Sequence, residues 1–221
     1  MRISVTENGP YEVSGGVPLA VQEIVADEAG ESVSWREGRA FPGKASYALC
    51  RCGQSGNKPF CDGSHATTGF DGTETATREP YLSQAGEQDG PDLTLTDAEP
   101  LCAFARFCDY GGQIWNLVEE PGQADLVERE AANCPSGRLV AWRLAERQAL
   151  EPELPPSIGL VEDPAQGVSG PLWVRGGVTV TAADGTEYER RNRVTLCRCG
   201  ASRNKPFCDG SHAAVGFKDD L

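Results

Sequence analysis

Residues 50–65 read CRCGQSGNKPFCDGSH and residues 197–212 read CRCGASRNKPFCDGSH, so fourteen of sixteen positions coincide. Both copies place sulfur and imidazole as Cys-x-Cys-x8-Cys-x3-His: Cys50, Cys52, Cys61 and His65, then Cys197, Cys199, Cys208 and His212. These blocks hold six of the nine cysteines and both histidines of the chain. Three thiols and one imidazole at a fixed short spacing form a metal-ligand set. Any fold this chain adopts must gather that set twice.

The repeat extends beyond the ligands. Gly9-Pro10-Tyr11-Glu12-Val13-Ser14-Gly15-Gly16-Val17 is echoed by Gly170-Pro171-Leu172-Trp173-Val174-Arg175-Gly176-Gly177-Val178, so the two copies span roughly 9–70 and 170–217. Short alternating runs broken by Asn-Gly-Pro and Gly-Gly read as strands joined by tight turns. Ala45–Leu49 and Arg193–Leu196 read as strands that deliver the first cysteines. The first copy is 14 residues longer between Gly-Gly-Val and its first cysteine, and the excess reads as a polar loop in Glu23–Gly43. In the second, Val178–Thr181 and Tyr188–Leu196 flank Asp184-Gly185, a hairpin signal. After each histidine, a short helical turn ended by Gly69 or Gly216 is expected, with Phe70 or Phe217 packing back.

Composition narrows the function classes. The 221 residues include 26 glycines and 15 prolines with only 7% aromatics, which favours small turn-rich modules stabilised by metal. A net charge of −13 disfavours binding to nucleic acid or to anionic membrane surfaces. No stretch approaches the ~20 apolar residues of a membrane span. No signal peptide is visible, so nine cysteines read as thiols or metal ligands in a reducing compartment, and a cytoplasmic location is expected.

Ligand type alone leaves zinc and iron–sulfur chemistry both open. Structural zinc knuckles usually separate their cysteines by two to four residues. The tight Cys-x-Cys pair instead suits two ligands on one iron, with the distant Cys and His on the other. The whole run from Cys-Arg-Cys-Gly to Asn-Lys-Pro-Phe-Cys-Asp-Gly-Ser-His resembles the CDGSH iron–sulfur family, the NEET-type proteins, in both copies. The resemblance implies a [2Fe–2S] cluster on Cys50, Cys52, Cys61 and His65, and a second on Cys197, Cys199, Cys208 and His212. It also implies that the motifs pair about a pseudo-two-fold axis with strands exchanged into a shared cap, here within one chain. The membrane anchor and the Asn-Glu-Glu-Thr tail of some members are missing from this pattern. Among the flanks, Gly53, Gly63, Gly200 and Gly210 let backbone approach bridging sulfides. Pro59 and Pro206 stiffen the loop. Asp62 and Asp209 cap the next turn, and Lys58 and Lys205 offset cluster charge or are simply solvated. A histidine with one free nitrogen makes each centre a pH-sensitive one-electron site.

The remaining cysteines form a weaker pattern, Cys102-x5-Cys108 followed by Cys134-Pro135. It is similar to a single-cluster bacterial ferredoxin, with Ala105 where the middle ligand would stand and Asp109 off-register as a replacement. The resemblance implies a [3Fe–4S] cluster, or a [4Fe–4S] cluster with a non-protein fourth ligand. Buried thiols, a Cys102–Cys108 disulfide and another metal are the alternatives. A helix is expected from Ala98 to the glycines 111–112, a second at Ala124–Asn133, and a strand at Leu139–Trp142. Trp115 and Trp142 read as core.

The expected architecture is mainly β with small α+β parts. It comprises a first CDGSH module (1–72), a linker (73–97), a ferredoxin-like α+β insert (98–148), a linker (149–168) and a second CDGSH module (169–221). The two modules share a strand-swapped cap as an intramolecular pseudo-dimer, monomeric overall. The expected function is electron transfer, or cluster storage and transfer, with a redox partner or cluster-acceptor protein. A structural zinc scaffold and a redox or iron sensor are the alternatives. Both histidines are already used as ligands and no nucleotide loop is visible, so no catalyst is expected.

Overall fold

The computed structural model describes residues 1–219 and 221. The first copy supplies five strands: β1 (Arg2–Val5), β2 (Tyr11–Ser14), β3 (Leu19–Ala26), β4 (Ser32–Ala40) and β5 (Ser46–Leu49). Between the copies lie α1 (Tyr81–Gln84), β6 (Gly86–Asp89), β7 (Leu93–Asp97), α2 (Ile114–Leu117), α3 (Ala124–Asn133) and β8 (Leu139–Arg143). The second copy supplies β9 (Ser157–Asp163), β10 (Val168–Arg175), β11 (Thr179–Thr181), β12 (Arg193–Leu196) and α4 (Ser211–Ala214). The described residues are thus mainly β, with short helices.

Two of the three sheets mix the copies. One runs β11-β1-β2-β5 and another β12-β10-β9-β3-β4. In each copy an antiparallel trio forms first, β1-β2-β5 or β9-β10-β12. The next strand then joins the other copy's sheet in parallel. Leu19 of β3 pairs with Ile158 of β9, and Val180 of β11 pairs with Ile3 of β1. Ile3 sits opposite Val13 and Ile158 opposite Val174, so the two pairings occupy matching registers of the repeat. The redirecting device is the Gly-Gly pair. Gly15 and Gly16 have φ of 87° and 68°, and Gly176 and Gly177 have φ of 68° and 66°. Two successive left-handed residues are strained for side chains other than glycine. Both amides of each pair point at one carbonyl, Ala45 O or Asn192 O, which fixes the exit direction.

Alternation then builds a common core. In β2, Tyr11 and Val13 are buried while Glu12 and Ser14 are exposed. Ile3, Tyr11 and Leu49 of the first copy pack in one apolar cluster with Ile158, Leu172 and Leu196 of the second. Each such side chain contributes about 1.5–3 kcal/mol by burial.

The intervening segment has its own sheet, β6-β7-β8, and its own apolar cluster around Leu95, Ile114, Val127 and Leu139. Its α3 and β8 fall where the sequence placed a helix and a strand. The expected helix over 98–112 does not form. Only two 3-10 turns appear, Glu99–Leu101 and Phe107–Asp109. Phe104 and Arg106 between them have φ of 54° and 60°, which breaks any helical run. The stretch 73–97, expected as a linker with one strand at Leu93–Leu95, does carry that strand as β7 and adds α1 and β6, and β6 and β7 pair into the insert sheet. The expected linker 149–168 contains β9, the inner strand between β10 and β3. The prolines around β9 mask an apolar Ile-Gly-Leu-Val run. The expected loop in Glu23–Gly43 is instead a hairpin, the end of β3 with β4, turned by Asp27, whose carboxylate accepts from Ala29 and Glu31 N–H. The hairpin expected around Asp184-Gly185 reduces to one turn and a Thr181–Glu187 bridge, because β11 pairs with β1 and β12 with β10.

Glu130 on α3 is 2% exposed, and neither carboxylate oxygen has a hydrogen-bond partner among the described residues. Burial pushes its carboxyl from 4.5 up to about 8. Between those values the unfolded chain is ionised at this position while the folded one keeps the proton, so stability falls as pH rises through the window. Urea unfolding from pH 5 to 8.5 should show this slope, and Glu130→Gln should flatten it and be the more stable form above pH 8.

Candidate metal centres

Each repeated block is a loop pinned to its own sheet. The amide of Cys50 donates to Pro59 O at 2.8 Å, and that of Cys61 donates to Ala48 O at 3.0 Å. Cys197 to Pro206 O (2.9 Å) and Cys208 to Thr195 O (2.9 Å) reproduce this. The Lys58-Pro59 and Lys205-Pro206 peptides are both cis. The hydroxyl of Ser55 donates to Phe60 O and accepts from Asn57 N–H, and Ser202 does the same with Phe207 and Asn204. Asp62 accepts from Ser64 N–H and Oγ–H and from Gly56 N–H, which holds its carboxyl well below the usual carboxylate range. Asp209 accepts from Ser211 and Arg203 N–H. These carboxylates therefore hold the loop bend before each histidine, but the expected capping is not formed: the cap positions are Gly63 and Gly210, without a side-chain cap bond.

The ligand atoms fall into pairs. Cys50 Sγ lies 3.8 Å from Cys52 Sγ, and Cys61 Sγ lies 3.4 Å from His65 Nδ1. In the second block the distances are 3.7 Å for Cys197–Cys199 and 3.5 Å for Cys208–His212 Nδ1. Two sulfurs about 2.3 Å from one tetrahedral ion stand about 3.8 Å apart. Each pair thus spans one edge of a metal tetrahedron. Among the described residues, no three His, Cys, Asp or Glu side chains converge on a single ion. The donor set of three thiolates and one imidazole fits iron–sulfur and zinc chemistry alike in each block. Gln54 N–H on Cys52 Sγ, Gly63 N–H on Cys61 Sγ and Gly210 N–H on Cys208 Sγ, each at 3.4 Å, stabilise the thiolate forms. Burial pushes the Cys208 thiol well up, and it raises Cys61 as well. Metal binding must expel those protons, so affinity rises with pH. Burial, followed by the Arg198 guanidinium, lowers His212 to about 4, which keeps its ring in the neutral ligating form.

The blocks meet back to back. A Cβ on Gly53 would stand 2.5 Å from Cys199 O, and one on Gly200 would stand 2.5 Å from Cys52 O. These two glycines therefore permit contact between the copies, which the sequence had credited to sulfide approach. Tyr11 adds a one-sided link: its hydroxyl lies 2.7 Å from Cys197 O and 3.1 Å from Pro206 O. An open groove of about 630 Å³ runs between the blocks, lined by Cys52, Cys199, Lys205, Phe70 and Phe217 among others. Lys205 Nζ is held there by Ser202 O at 2.7 Å. Buried Arg51 donates to Thr6 O and Gly72 O, and buried Arg198 donates to Val161 O, Gly170 O and the Glu162 carboxylate.

Cys102, Cys108 and Cys134 line one small pocket in the insert with Arg138 and Leu139. Burial pushes the Cys108 thiol up to about 12. All nine cysteines are free thiols, so the expected alternative of a Cys102–Cys108 disulfide is absent. Ala105, in the missing ligand's place, is buried in an apolar cluster with Phe107, Trp173 and Trp35. Asp97 grips Arg138 through two bonds of 2.6 and 2.8 Å, holding the guanidinium beside this site. Three thiolates without a fourth side chain fit an iron–sulfur cluster more readily than a four-ligand ion.

Residues 8–66 and 169–213 match the family described as iron-binding zinc finger, CDGSH type. Residues 88–144 match the family described as divergent 4Fe-4S mono-cluster. The chain is a tandem CDGSH protein with a central single-cluster module. No curated protein matches it. Membership makes it an iron–sulfur protein, and the matched spans contain every ligand residue named above. No helix among the described residues is long and apolar enough to cross a membrane.

The two CDGSH centres differ in their surroundings. His65 and Cys61 are half-buried, whereas His212 is 4% and Cys208 2% exposed. A Cβ on Gly63 would meet nothing within 4 Å, but one on Gly210 would meet Phe104 Cβ at 3.2 Å and Cys102 O at 3.5 Å. No residue pattern signals Phe104, Tyr11 as a link, or the Arg106–Asp163 pair that ties the cysteine loop to β9. Elemental analysis of variants should separate the glycine roles. Gly53→Ala or Gly200→Ala should lower metal content at both centres, because the added carbon strikes the partner loop's backbone. Gly63→Ala should retain the metal, costing only backbone strain of about 1–2 kcal/mol.

Proposed function

We propose that this protein is an electron carrier with three iron–sulfur centres in one chain. Two are [2Fe–2S] clusters, on Cys50, Cys52, Cys61 and His65 and on Cys197, Cys199, Cys208 and His212. The third, on Cys102, Cys108 and Cys134, is a [3Fe–4S] cluster or a [4Fe–4S] cluster completed by a non-protein ligand. The observation that carries this reading is the pairing of donors, two and two, in each repeated block. Such clusters supply one-electron transfer.

The exchanged parallel strands and the reciprocal Gly53 and Gly200 contacts support an intramolecular pseudo-dimer, in which the two CDGSH centres are neighbours. The Cys102 carbonyl abuts Gly210, whose N–H reaches Cys208 Sγ, which supports a short route from the middle centre to the second CDGSH centre. Both histidines face ligand thiols through Nδ1, which leaves no imidazole for acid–base chemistry and favours a carrier over a catalyst. The partner is then a redox protein or a cluster acceptor, not nucleic acid or membrane. Nine unpaired thiols favour a reducing, cytoplasm-like compartment. Cluster storage and delivery is the second reading, favoured by the half-buried His65.

Anaerobically purified protein should absorb in the visible and contain about 7–8 iron atoms per chain with a similar amount of acid-labile sulfide. Cys102→Ser should lower the iron to about 4 per chain. A colourless, sulfide-free zinc protein would overturn the reading.

A further inference from the structure

We propose that the two CDGSH centres have divided their labour. The centre of residues 197–212 is covered at its Cys208–His212 end and retained. The centre of residues 50–65 is the exchange site, where an acceptor protein that offers thiolates takes over the metal. This deepens the cluster-delivery reading above and rests on it.

The argument is a comparison of equivalent positions within one chain. Gly63 and Gly210 follow the third cysteine of each block by two residues, and open space faces only Gly63. Over Gly210 lies the insert segment from Pro100 to Arg106. Asn204 Nδ2 donates to Pro100 O at 2.9 Å, while its counterpart Asn57 is exposed. Arg106 binds the Asp163 carboxylate, which itself is 4% exposed, and reaches Ser32 Oγ as well. These ties hold Phe104 and Arg106 in left-handed backbone conformations. Strain of that kind persists only where surrounding contacts enforce it. Buried Arg193 of β12 adds bonds to Cys134 O, Ala131 O and Leu139 O, so the insert is anchored to the second copy's side. A thiolate-bearing acceptor or a chelator approaching Cys61 and His65 meets no such cover. Exchange there is ligand replacement: one metal–ligand bond forms as another breaks, with no change in oxidation state.

The test is release of metal from the anaerobic full-length holoprotein into excess EDTA, followed by elemental analysis and visible absorbance. The two CDGSH centres should empty in separate phases, differing on the order of tenfold or more, because release from the covered centre waits on local opening of the insert. Cys61→Ser should abolish the fast phase and Cys208→Ser the slow one, and Cys108→Ser identifies the phase owed to the middle site. Phe104→Gly, which removes the Cβ that faces Gly210, should accelerate the slow phase several-fold and leave the fast phase alone. Asn204→Ala is a second, milder way to loosen the same cover. Equal rates at the two centres, or a fast phase that survives in Cys61→Ser, would overturn the division. Acceleration of both phases by Phe104→Gly and Asn204→Ala would overturn the role of the insert. Acid-labile sulfide is measured on the same samples. Its absence would defeat the iron–sulfur reading, while the EDTA rates would still decide whether the centres are unequal.

Discussion

Parallel pairing of β3 with β9 and of β11 with β1 is the constraint on which the rest depends. Each strand leaves its own copy through a Gly-Gly turn and completes the other copy's sheet. Neither trio of strands is closed on its apolar face alone, and the shared cluster of Ile3, Tyr11, Leu49, Ile158, Leu172 and Leu196 belongs to both. Because the repeated loops are bonded to β5 and β12, the same pairing sets the two loops back to back. Geometry at the centres is thus inherited from a nonlocal pairing of strands.

The insert is not an independent bead between the copies. Trp35 on the added β4 hairpin donates to Asn133 O at 3.1 Å and stacks against Phe107 at 4.9 Å and Trp173 at 4.6 Å. That aromatic group fills the place behind Ala105 and shapes the wall of the middle pocket. The extra residues in the first copy therefore serve the module that follows it. On the other side, Arg193 satisfies three carbonyls at the end of α3 and the start of β8, a buried cation paired with Glu151. Removing one partner of such a buried pair costs far more than the pair itself contributes.

The repeated blocks were legible because their information is local: residue type and spacing mark eight candidate donors, which the structure brings together in pairs. The overall β character was legible too, from alternation between Gly-rich turns. Which strand pairs with which was not, since Leu19–Ala26 and Thr179–Thr181 carry strand propensity but no address. β9 is hidden by Pro155, Pro156 and Pro164 around it, and the run from Ala98 to the glycines 111–112 reads as a helix that forms only two short turns. Its irregular path is set by tertiary ties at Arg106 and Phe107, and propensity yields to such contacts. The cover over Gly210 had no sequence signal, because Phe104 acts through its position against a glycine some hundred residues away.

Tyr11 illustrates what covalent joining permits. Its hydroxyl contacts the loop carrying Cys197, and the equivalent residue of the other copy is Leu172, which has no hydroxyl to offer. An assembly of two identical subunits writes every side chain twice, so any contact across its axis appears in both directions. A single chain that carries both halves is released from that rule. Each side can be adjusted in isolation, and symmetry becomes a starting geometry that individual residues are free to break.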